Sequence, residues 1–221
     1  MAKNDRPTKA ELEEDRFVEW IMGVFDFLKD RLQLVIGVVV ALLLIVSGAL
    51  YTRNLQEEER LKASHSLGKV LMIEANGNIV AAMEAAEILV AEHRGTSAAG
   101  QGAVFLANRY FNQGRFNEAK NLYEQFLDQY GDTDEVLFFA AWSGIAGCLE
   151  SQEEFVSAAK KYEQYADQYG GEQASLALID AARCYGLAGD TTAQKNALTR
   201  ITKNFPTSPV VGKVREQLQA L

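Results

Sequence analysis

The sequence predicts an all-α protein in which one membrane-crossing helix precedes a solenoid of paired helices. Three observations carry this: an uncharged apolar run from Leu32 to Tyr51, a nonapeptide written twice as YEQFLDQYG (123–131) and YEQYADQYG (162–170), and only three prolines in 221 residues. No stretch alternates apolar and polar residues as a half-buried strand would. The acidic balance, a formal net charge of -8, argues against nucleic acid as a partner, because phosphate binding needs a surplus of Lys and Arg on one face.

Taken in chain order, residues 1–31 form a short tail. Thr8-Lys9-Ala10-Glu11 after Pro7 has the pattern of a capping box, and Phe17, Trp20, Ile21, Val24, Phe25 and Leu28 recur at helical spacing, which predicts an amphipathic helix lying in a membrane interface. The next twenty residues, 32–51, contain thirteen Leu, Ile or Val, each contributing about -0.3 to -0.6 kcal/mol to insertion, and are long enough to span the hydrocarbon core. A cleavable signal would have a short basic start; here 31 residues of mixed charge precede the run, so an uncleaved anchor in contact with lipid is expected. Lys29 and Arg31 precede the span and Glu57, Glu58 and Glu59 follow it, which predicts a cytoplasmic N-terminus and an exported C-terminal part. Residues 52–63, charged and free of Gly and Pro, are expected to continue the helix as a stalk into a repeat domain at 64–221.

The repeat becomes visible when turns are compared. Gly95, Gly131, Gly170 and Pro206 lie 36, 39 and 36 residues apart. Ala107, Ala146 and Ala182 each stand 24 positions before such a turn, Tyr110, Leu149 and Tyr185 stand 21 before, Ala119 and Ala158 stand 12 before, and Tyr123, Tyr162 and Leu198 stand 8 before. Paired helices approach to about 8–10 Å only where small side chains meet, with bulky residues one turn away filling the space between pairs. Gly114 and Gly189 mark turns within a pair, and Val211, Val214, Leu218 and Leu221, after Ser208 and Pro209, predict a closing helix. In the first unit Leu71 and Glu74 replace the small and aromatic residues, and in the last Gln194 replaces Ala, as terminal repeats allow.

From about 64 to 208 these positions resemble the tetratricopeptide repeat, a helix–turn–helix unit, with Trp142 at a position where that family favours Trp. The resemblance implies about four helix pairs plus a capping helix. It also implies a concave groove lined by the first helices: Gln101, Val104, Asn108 and Phe111, then Ala140, Ser143, Gly147 and Glu150, then Leu176, Ile179, Arg183 and Gly186. The Lys and Asn clamp of the family's chaperone-tail receptors is missing, so the groove suits a helix or an extended segment.

Little in the chain suggests chemistry. His65 and His93 lie in no metal-ligand pattern, no phosphate loop or nucleophile elbow occurs, and neither catalytic residues, metal, cofactor nor small-molecule substrate is expected. Cys148 and Cys184 fall at equivalent repeat positions, roughly 10 Å apart on neighbouring helices, too far for a disulfide, so two buried thiols are expected. Charge is uneven: 116–175 carries 12 acidic against 3 basic residues, 191–221 carries 1 against 5. The order of parts resembles the YfgM-like family, ancillary proteins of the bacterial Sec translocon, which implies a single-pass inner-membrane adaptor with a periplasmic repeat domain. Its expected partners are translocon subunits, periplasmic chaperones or exported proteins. The other expectation is a structural subunit of a different envelope complex, held through its repeats or its span.

Overall fold

The computed structural model describes Trp20, Met22, Gly23 and residues 31–130 and 134–221. Of the expected 17–28 helix only those first three residues fall within it, and the capping box at Thr8 and the turn glycine Gly131 lie outside the described residues. Among the described residues there are nine helices and no strand: α1 Leu32–Ala75, α2 Ile79–Glu92, α3 Ser97–Asn112, α4 Phe116–Tyr130, α5 Glu135–Ser151, α6 Phe155–Gln168, α7 Gly171–Leu187, α8 Thr191–Asn204 and α9 Val211–Ala220. The chain divides into two compact units, Met1–Glu57 and Glu58–Leu221.

Within the first unit, the opening half of α1 is apolar on every side, with Leu44 and Ile45 two-thirds exposed. Such a helix has no polar face to turn toward water. Among the described residues it is the one helix long and apolar enough to cross a membrane.

The second unit consists of four helix pairs, the end of α1 with α2, then α3–α4, α5–α6 and α7–α8, closed by α9. Local chemistry starts and stops these helices. Asn78, Thr96, Asp134 and Asp190 accept backbone N–H bonds as N-caps of α2, α3, α5 and α8. Within pairs the chain reverses at Gly77, Gly114 and Gly189, all at positive φ, and at Glu153, which adopts φ 63° where the other pairs place glycine. That substitution costs about 1 kcal/mol or more.

Packing follows the repeat. Ala107, Ala119, Ala146 and Ala158 are fully buried and Ala182 nearly so, at the helix contacts their spacing indicates. From α2 to α9 each helix packs on its neighbours in sequence, and in addition α3 touches α5 and α5 touches α7. The first helices of the second, third and fourth pairs are thus in direct mutual contact, as in one layer of a two-layer array. Leu71 is half exposed because the first pair has no predecessor. Gln194 fills the space beside Gly186, where a Cβ would meet its amide nitrogen at 2.9 Å.

One boundary differs from the expectation. The last helix begins at Val211, and Ser208 and Pro209 lie in the preceding turn. The Ser208 hydroxyl bonds instead to that of buried Ser175 at 2.9 Å, which pins the turn to α7.

Candidate functional site

The inner face of the first helices brings the predicted groove residues together unevenly. On α3, Gln101 and Asn108 are exposed and Phe111 is half-buried, its ring 5.4 Å from that of Phe116. Val104 is only 3% exposed and packs in the core with Tyr123 and Ile145, so it stabilises α3 and offers no side chain to a partner. Helical periodicity alone would put Val104 on the same side as exposed Gln101, three residues away; what buries it is the aromatic core that α4 and α5 bring against α3.

On α5 the face is almost without side chains. Ala140, Ser143 and Gly147 are half-buried, and a Cβ added to Gly147 would lie 3.5 Å from the Phe111 ring. The Ser143 hydroxyl is buried with no hydrogen-bond partner among the described residues. On α7, Leu176 is 38% exposed, Ile179 is half-buried against the core, and Gly186 is exposed. The result is a floor of small residues between the Phe111 side and the Leu176–Ile179 side.

Polar groups at the groove's far end are engaged with one another. Arg183 donates both terminal nitrogens to Glu150, at 2.5 and 2.9 Å, and a third bond to Asp180 at 3.2 Å. Tyr162 donates to the same Glu150 at 3.0 Å. Burial pushes the Glu150 carboxyl upward, but the Arg183 bonds outweigh this and hold it below the usual carboxylate range. The Arg183 guanidinium is held above its ordinary value chiefly by its bond to Glu150, against burial. Arg183 therefore cross-links α5 to α7 and is not an uncommitted charge awaiting a ligand. Asn108 likewise accepts from the Tyr123 hydroxyl at 2.6 Å.

These bonds belong to a wider pattern of polar links between successive pairs. Arg109 bonds Glu74 and Arg200 bonds Glu163 and Asp167, while within the first pair His93 lies 2.6 Å from Glu59. Tyr110 and Tyr185, at equivalent positions, donate back to Glu87 and Glu163 at 2.7 Å each. Arg200 belongs to the basic end and its two acceptors to the acidic middle, so part of the charge asymmetry is neutralised inside the array.

The first pair adds residues that the sequence reading did not include. Leu61 and Met72 are each 61% exposed, beside exposed His65 and Gly68. Stepping back 36 residues from Gln101, Val104 and Asn108 arrives at His65, Gly68 and Met72, so the interval that located the turns would have found them.

A family model described as a tetratricopeptide repeat-like domain matches residues 26–138. The chain belongs to this tetratricopeptide repeat-like family. The match takes in the apolar helix as well as the first two helix pairs, and repeats of this kind act as surfaces for other proteins. No curated protein matches the chain.

Among the described residues no group of three His, Cys, Asp or Glu is placed to hold a metal ion. Cys148 and Cys184 are both free and buried. Burial pushes the Cys148 thiol up to about 11, and burial together with the Glu150 charge pushes Cys184 up to about 12, so neither ionises near neutral pH.

Proposed function

We propose that the protein is a membrane-anchored adaptor that holds other proteins along the inner face of its first helices. The observation that carries this reading is the small-residue floor of Ala140, Ser143 and Gly147, flanked by Phe111, Leu176 and Ile179 and extended by Met72. A floor without bulk accepts the ridge of a helix or an extended segment. With Arg183 and Glu150 satisfying each other, selection rests on shape and apolar contact.

In this reading residues 1–31 are a cytoplasmic tail, 32–51 the span, 52–63 a stalk and 64–221 the binding domain. The unbroken α1 and a family match that begins before the apolar run support that order. The repeat domain lies outside the bacterial inner membrane, and the protein acts in the manner of the YfgM-like family, assisting translocation or periplasmic chaperoning at the Sec translocon.

Co-purification tests this. Met72→Asp and Leu176→Asp should leave thermal melting unchanged and reduce recovery of translocon subunits and chaperones from gently solubilised membranes. Ala119→Leu and Ala158→Leu should instead lower the melting temperature, since overpacking costs typically about 1–3 kcal/mol. Protease added outside intact spheroplasts should digest the repeats. Retention of every partner by both groove variants, or protection of the repeats, would sink the proposal; one fixed stoichiometric partner would indicate a structural subunit.

A further inference from the structure

The duplicated nonapeptide does not place its last tyrosine in the same way twice. Tyr130 is 7% exposed and seated on Gly100, where a Cβ would lie 3.0 Å from its ring. Thirty-nine residues on, the position of Gly100 is held by Phe139, and Tyr169, the extended C-cap of α6 where Tyr130 is still part of α4, remains half-buried. It meets Phe138 edge-on at 4.9 Å and Tyr165 at 5.1 Å, and these three rings wall a cavity of about 420 Å³ where α5 begins and α6 ends. Glu135, Gln168 and Gly170 complete its lining.

The cavity has the electrostatics of a cation site. Aromatic faces are negative, and a carboxylate at the lip adds full charge. Among the described residues no Lys or Arg forms an ion pair with Glu135, and its charge reaches the wall: after burial, Glu135 is the main influence raising the Tyr165 hydroxyl. This same cluster already holds one cation from within, since the Lys161 ammonium sits 4.2 Å from the Trp142 ring centre and Trp142 touches Tyr165 and Tyr169. The surrounding 116–175 segment, with 12 acidic residues against 3 basic, would steer a positive group toward it.

We propose that this cavity receives an arginine side chain from a protein partner. A guanidinium is planar and can stack on the rings while its edge N–H groups donate to the Glu135 carboxylate and the Gln168 amide oxygen, whereas an ammonium has no flat face to stack. The site lies at the start of α5, the end of α6 and the turn into α7 and does not depend on the groove, so its failure would leave the groove reading untouched.

The test uses the full chain in detergent carrying Trp20→Phe, which leaves Trp142 as the single emitting tryptophan of the two present. N-acetyl-arginine amide should change its emission saturably with a dissociation constant of ~1–10 mM, reasonable for so small a ligand. N-acetyl-citrulline amide, equal in shape but uncharged, should bind about fivefold or more weakly, and Glu135→Gln should weaken arginine binding by a similar factor. Tyr169→Ala should abolish the response. Equal responses to arginine and citrulline, an unaffected Glu135→Gln variant, or no saturable change would overturn the proposal. Tetramethylammonium binding as tightly as the arginine amide would do so too, by making the cavity a quaternary-ammonium site.

Discussion

Two glycines on first helices show how much a single position can depend on its neighbours. Gly144 faces the Tyr123 ring so closely that a methyl carbon there would overlap it, and Tyr123 is 2% exposed and tied to Asn108, so it cannot withdraw. Gly68, also within a helix, has nothing within 4 Å of an added Cβ. Gly144→Ala should therefore destabilise by about 1–3 kcal/mol, whereas Gly68→Ala should stabilise by about 0.5–1 kcal/mol because alanine gives up less backbone entropy. Thermal melting of the two variants checks this, at about 2–4 °C per kcal/mol for a domain of this size. Equal and small shifts would mean that Tyr123 is freer than its contacts indicate.

Between elements, the Arg183–Glu150 pair joins α5 to α7 across a repeat boundary. Because the folded Glu150 carboxyl lies below its ordinary range, its contribution is fully present above the unfolded value near 4.3 and is lost as pH falls through the folded one. Asp180 works in the other direction, its carboxyl raised by burial with Arg183 opposing. Comparing wild type with Glu150→Gln isolates the first effect: their difference in melting temperature should be largest near neutral pH and shrink below about pH 4. A double-mutant cycle with Arg183→Gln should give a coupling of about 0.5–1 kcal/mol, since Arg183 is nearly half exposed and screened by solvent. A difference that stays constant down to pH 3 would show that the pair contributes no linked stability.

At the scale of the whole molecule, the boundary between the compact units falls inside α1, between Glu57 and Glu58, so the helix is continuous while its environment changes. Every buried core cluster lies at or beyond Ala63. A fragment starting at Gln56 should therefore be soluble without detergent, strongly helical by circular dichroism, and should melt in a cooperative transition. Aggregation, or a melt without cooperativity, would mean that the apolar part of α1 supplies stability to the repeats.

What the sequence determined by itself is whatever a local or periodic signal can encode. The apolar run, the intervals of 36 and 39 residues, the small residues at Ala119 and Ala158 and the caps specify helices, their pairing and the four-pair array, because each signal acts on the chain segment that carries it. Tertiary structure alone decided which groove positions are usable. Val104 and Gln101 are three residues apart on one helix, yet one is core and the other solvent, since burial depends on what α4 and α5 bring against α3. Arg183 reads as a free cation until Glu150, 33 residues away, is seen to hold it with two bonds. The same is true of Tyr130 and Tyr169, written identically and placed differently: one ends α4 seated on Gly100, and the other is the extended C-cap of α6 packed on Phe138. Depth, charge neutralisation and cavities are properties of pairs of residues distant in sequence, and no one-dimensional period contains them.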